Sequence, residues 1–177
     1  MRYVTLTEIY QHHIAQKYLS RSGLAHAIAC AYHAFKLAKQ RNVSVDLATK
    51  AAFLHDMGHY TWYRNGKWDY DLYKQNDIHA IKGAERAHKL LIRLGENPRY
   101  ARDIAFAILF HTDSYIKDSY IKRTPLQEIT KLADEMDEEE GGLHHYRQID
   151  QERALRMIEK LDQMVEEEMD TSKNEGI

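Results

Sequence analysis

Eleven histidines stand against one cysteine in this 177-residue chain, and the histidines that point into a helical core are the residues best placed to do chemistry. A single cysteine leaves no internal disulfide framework and no cysteine-rich zinc site, so a bound metal would be held by histidine and carboxylate. Helix geometry sorts the candidates. Leu47, Ala48, Ala51 and Ala52 form one arc of a helix, and His55 falls in its middle with Asp56 beside it. A polar ring at the centre of an apolar arc costs free energy unless it is paired. Ile104, Ala107, Ile108 and His111 put a second histidine on the core stripe of another helix. Two inward histidines from different helices could meet. His26 and His33 share one face of a third helix, but two turns separate them by roughly 10 Å, so only one can reach an ion that binds nitrogen at about 2.1 Å. Periodicity leaves both open.

The elements that must carry these residues are helices. With 8 glycines and 2 prolines, about half the usual share, the chain has few of the turns that a sandwich or barrel needs. Its length suits one domain with one core. The pattern predicts helices over residues 7–19, 23–40, 46–57, 77–94, 99–111, 124–139 and 148–169, with Gly58 and Gly95 as stops and Thr124-Pro125 as a cap and first-turn proline. The tail after Asp170 is expected to fray. Residues 60–76 have no helical period and gather Tyr60, Trp62, Tyr63, Trp68, Tyr70 and Tyr73, which reads as a long irregular aromatic loop. The whole is an all-α, single-domain bundle: an N-terminal helix (1–19), a core (20–140) and a C-terminal helix and tail (141–177). A net charge of −2 and no basic stripe argue against bulk nucleic acid as a partner. No apolar run approaches the ~20 residues of a membrane span, and Met1 to His13 do not form a signal peptide. A soluble, reducing, cytoplasmic setting is expected.

The run LAHAIACAYHAFKLAKQRNVSVDLATKAAFLHDMGH (24–59) resembles the HD-domain superfamily of metal-dependent phosphohydrolases, in which an early His, an adjacent His-Asp pair and a late Asp hold a metal. The resemblance selects His26 over His33, because Ala34, Leu37 and Ala38 then fall where the family places its small and apolar residues, and it implies His55 and Asp56 as the pair. KLADEMD (131–137) is similar to the late segment and implicates Asp134, although the arc of Leu126, Ile129, Leu132, Ala133 and Met136 lies nearer to Asp137. IHAIKGAERAHKLL and AILFHTDS resemble segments that complete a dinuclear site in some members, which brings in His79 and His111. The nearest likeness is to bacterial HD hydrolases of diadenosine tetraphosphate. Those often carry a Lys after His-Asp where this chain has Met57-Gly58-His59, so His59 is expected as a phosphate donor or general acid.

The resemblance implies a bundle with the metal site in its core. It also implies hydrolysis of a phosphoester or phosphoanhydride of a nucleotide by metal-activated water, with Asp56 bridging two ions. Imidazole and carboxylate favour iron, manganese, zinc or nickel over magnesium without choosing among them, and iron is the first expectation. Trp62, Tyr63 and Trp68 could stack on a base, at ~1–3 kcal/mol each. Arg64, Lys67, His144, His145 and Arg147 could neutralise phosphate. The aromatic loop could equally pack on a second subunit, so a homodimer is among the expected partners. A diiron oxygenase and a non-catalytic nucleotide- or metal-binding module are the alternative functions.

Overall fold

Alanine-rich faces allow helices to lie close together, and the core of this protein is built on that. In the computed structural model, which describes residues 1–59, 63–75, 77–113, 120–137 and 147–174, helices α1 (Leu6–Gln11), α2 (His13–Ser22), α3 (Leu24–Gln40) and α4 (Val45–Leu54) come first. A small antiparallel hairpin, β1 (Tyr63–Arg64) and β2 (Lys67–Trp68), follows, and then α5 (Tyr70–Gln75), α6 (His79–Leu94), α7 (Pro98–Leu109), α8 (Pro125–Met136) and α9 (Gln151–Asn174). Ala27, Ala31, Ala34 and Ala38 of α3 and Ala48, Ala51 and Ala52 of α4 are fully buried where these two helices pack together. α6 and α7 form a second pair through Ala87, Leu90, Leu91, Ala101, Ile104 and Ile108. α8 lies on α3 and α4 through Ile129 and Ala133, and α9 closes the bundle over α1, α3 and α4.

Local chemistry sets the helix ends. Ser44 and Asn97 accept backbone N–H groups at the starts of α4 and α7, Thr124 and Gln127 form a capping box, and Gly95, at φ 90°, ends α6 in the left-handed conformation. The all-α, single-domain expectation holds, with four corrections. The predicted helix over 7–19 is two helices, because His12 is extended and its Nδ1 caps α2 by accepting from the Ile14 N–H. α4 stops at Leu54, and His55 to Gly58 form a turn beyond it. α9 runs to Asn174 where fraying was expected after Asp170.

The fourth correction concerns residues 60–76, which are not wholly irregular. Asn65 and Gly66, at φ 52° and 73°, form a two-residue turn between paired strands, as Asn-Gly does where both central residues need positive φ. Asp69 then accepts the Leu72 N–H and starts α5. Among the described residues no helix is long and apolar enough to cross a membrane.

Candidate metal centre

Most of the inward histidines sit at or beyond helix ends, where a side chain can turn away from its own helix axis. His26 lies in the first turn of α3, His55 caps α4, His79 opens α6, His111 follows α7, and Asp134 lies in the last turn of α8. His26, His55, Asp56, His79 and His111 are buried. Two glycines let the turn carrying His55 and Asp56 touch α6. A Cβ on Gly58 would stand 1.6 Å from the His79 carbonyl oxygen and 2.4 Å from the Gly83 nitrogen. Gly58 is therefore required by close backbone approach rather than by the helix-stop role predicted for it. Arg86, stacked 4.0 Å over the Tyr18 ring, donates to the Met57 carbonyl at 2.7 Å and holds the same turn from α6.

Each histidine has its Nδ1 proton fixed by an acceptor. His55 and His111 donate to the carbonyls of Ala52 and Ile108, both at 2.6 Å. His79 donates to Asp77 and His26 to Asp137, both at 2.7 Å. The four Nε2 atoms therefore face inward. They meet in pairs, His26 with His55 at 3.2 Å and His79 with His111 at 3.1 Å. Asp134 Oδ1 joins the first pair, 3.1 Å from His26 and 3.2 Å from His55. Asp56 lies between the pairs. Its Oδ2 is 3.3 Å from His55 and 3.6 Å from His26, and its Oδ1 is 3.8 Å from both His79 and His111.

Ring nitrogens and carboxylate oxygens that converge this closely repel unless a cation or a shared proton lies among them. The donor set thus fits divalent transition metals, and groups drawn from His26, Cys30, His55, Asp134, Asp56, His111, His59 and His79 could each hold an ion. The same crowding favours a proton on His55. Burial works against charge on His55, yet Asp56 and Asp134 hold its pKa well above the ordinary value. Burial likewise opposes ionisation of Asp56 and Asp134, but His55 and its neighbours keep both carboxyls well below the usual range. Burial, together with His55 and His79, pushes His111 down to about 3, which keeps it neutral.

The other predicted residues fall around this cluster. His33 is partly exposed, two turns along α3 from His26. Asp137 stands behind His26, on Nδ1, and Arg147 is ion-paired with Asp137. His59 Nε2 is 3.2 Å from Asp56 Oδ1, its ring stacks on His79 at 4.4 Å, and its Nδ1 is 3.2 Å from the Tyr73 hydroxyl. Burial lowers the His59 pKa, but Asp56 and Asp77 outweigh it and leave the imidazole above its usual value. Arg64 pairs with Asp69 at 3.1 Å, and Lys67 is exposed on the hairpin. Tyr63 and Trp68 are opposite one another in the hairpin register. Trp62, His144 and His145 lie outside the described residues. Sequence reasoning missed Cys30, one turn after His26, whose Sγ is 3.5 Å from both ring nitrogens, as well as Asp77, two residues before His79. Burial pushes the Cys30 thiol well up, so it is an apolar neighbour rather than a thiolate. The i, i+4 spacing was its only signal.

An all-helical bundle whose helix ends bring a His-Asp pair together with further histidines and a late aspartate defines a histidine–carboxylate metal-binding domain. The chain belongs to the HD-domain family, whose model matches residues 23–139. It is 64% identical over 167 residues to a Bacillus subtilis (strain 168) protein named "Putative phosphohydrolase YueE", covering 94% of this chain and 95% of that one. The crystal structure of a "predicted HD superfamily hydrolase" from an uncultured Thermotogales bacterium shares the fold, with a TM-score of 0.52 at 19% identity over 93% of this chain and 90% of the other.

Proposed function

We propose that the protein is a metal-dependent phosphohydrolase that cleaves a phosphoester or phosphoanhydride of a nucleotide. The observation that carries this reading is the inward convergence of four Nε2 atoms and two carboxylates, each imidazole already fixed from behind. The name of the Bacillus subtilis relative supports the reaction class. His26, His55 and Asp134 would hold one divalent ion and His79 and His111 a second, with Asp56 between them. Iron is the first choice, with manganese, zinc or nickel as alternatives. Bound there, such ions would lower the pKa of a water and stabilise charge on phosphoryl oxygens. Two carboxylates against two divalent ions would leave a net charge of about +2, suited to a phosphate dianion.

The chain's own residues orient and exclude. The Nδ1 hydrogen bonds fix each ring, and burial keeps bulk water from all but the open side of the cluster. There His59, its side chain 26% exposed, would pass a proton to the leaving oxygen. Arg64 and Lys67 would meet the more distant phosphates, and Trp62, Tyr63, Trp68 and His144 would contact the rest of the nucleotide. A dinucleoside polyphosphate is the finest substrate the resemblance of 78–91 and 107–114 supports. Arg147 supports His26 through Asp137 in this reading.

The test is to purify the protein, measure metal per chain, and screen a nucleotide panel for phosphate release with and without added manganese or iron. Two metals with release support the reading. Two irons with oxygen uptake and no release, or nucleotide binding without turnover, would sink it.

A further inference from the structure

Residues 63–75 stand apart from the core. α5 buries none of its residues, and the segment is stitched to itself by the Arg64–Asp69 ion pair, the Leu72 N–H donated to Asp69, and the Tyr73 N–H donated to the Asp69 carbonyl at 3.1 Å. Among the described residues, the Tyr73 hydroxyl lies 3.2 Å from His59 Nδ1, with the two rings stacked at 6.1 Å. On the other side of the same imidazole, Nε2 is 3.2 Å from Asp56 Oδ1. The ring is therefore held at both nitrogens, one by Tyr73 and one by Asp56.

We propose that Tyr73 is a positioning residue for His59, its hydroxyl hydrogen-bonded to Nδ1 so that Nε2 is the nitrogen that faces the centre. This rests on the hydrolase reading above. In that reaction the bond from phosphorus to the leaving oxygen breaks, and its electron pair goes to that oxygen. The proton on His59 Nε2 is transferred to it, and water supplies the new oxygen on phosphorus. The proton lost by that water returns through solvent to Nε2. Nδ1 stays hydrogen-bonded to the Tyr73 hydroxyl throughout. Without the hydroxyl the imidazole loses its hold at Nδ1, while the contact of Nε2 with Asp56 and the stacking on His79 and on the ring of residue 73 remain.

A positioned acid matters in proportion to how much the leaving group needs a proton. The experiment compares wild type, Tyr73→Phe, His59→Asn and the double variant on p-nitrophenyl phosphate and on an alkyl phosphate monoester, with metal content measured for each. Expected is a loss of about 10-fold in kcat for Tyr73→Phe on the alkyl ester, less than about 2-fold on the aryl ester, unchanged metal content, and no further loss when Tyr73→Phe is added to His59→Asn. Equal losses on both esters, or full additivity in the double variant, would overturn the inference while leaving the hydrolase reading intact. A wild type that releases phosphate from no ester or nucleotide would overturn the hydrolase reading and this inference with it.

Discussion

A histidine ligand is only as good as the group that holds its far nitrogen, and His26 has the most elaborate support of the four. Asp137 takes its Nδ1 proton and is in turn paired with Arg147. A carboxylate there raises the basicity of Nε2 and fixes the ring. Asp137→Ala is expected to weaken metal affinity by roughly 10–100-fold with the fold retained, as read by competition with a chromophoric chelator. Affinity within a factor of about 2 of wild type would refute the role. The two aspartates also show what could be read from sequence. The apolar arc of α8 lay nearer Asp137 and the family resemblance pointed to Asp134; both side chains reach His26, on opposite nitrogens. A helical wheel registers only that a residue faces inward. Which atom of a partner it meets depends on how α8 lies against α3, and no spacing within α8 encodes that.

Elements bring the donors together through unusually close backbone contact. The turn after α4 lies on the start of α6 with Gly58 against the His79 carbonyl and Gly83. Gly58→Ala would force backbone against backbone, so α6 must move, carrying His79 away from His111. Expected are a loss of about 3 kcal/mol in urea unfolding and weaker metal binding. Gly83→Ala, whose nearest contacts would be 3.1–3.2 Å, should be milder. Wild-type stability in Gly58→Ala would show that the two elements are not in register as described. The sequence marked Gly58 as special but for a helix-ending reason, because close approach involves a partner 25 residues away. The hairpin, by contrast, was readable: Asn65-Gly66 is a strong turn signal, masked by the aromatic residues around it.

Across the whole molecule, a buried ionic chain ties the first residues to the last helix. Lys50, fully buried, donates to Asp46 at 2.7 Å and to Glu96 at 2.6 Å; Asp46 accepts from Arg2 at 2.7 Å; and Arg2 reaches Asp162, which also takes the N–H groups of Leu6 and Thr7. Removing the central cation leaves carboxylates buried without it, so Lys50→Met is expected to cost about 3–5 kcal/mol in denaturant unfolding; a cost under about 1 kcal/mol would mean the network carries no stability. Helix class and most helix positions were legible from spacing, but a lysine within α4 gives no hint that it is wholly enclosed. The metal centre has the same long reach, since its donors run from His26 to Asp134. No single segment brings together both histidine pairs, so an ion bound by the folded protein has no comparable site in the opened chain. Chain opening and ion release then become one thermodynamic event. In a thermal melt, an indicator dye reporting freed metal and circular dichroism reporting helix should give a single shared midpoint, one that rises with added metal.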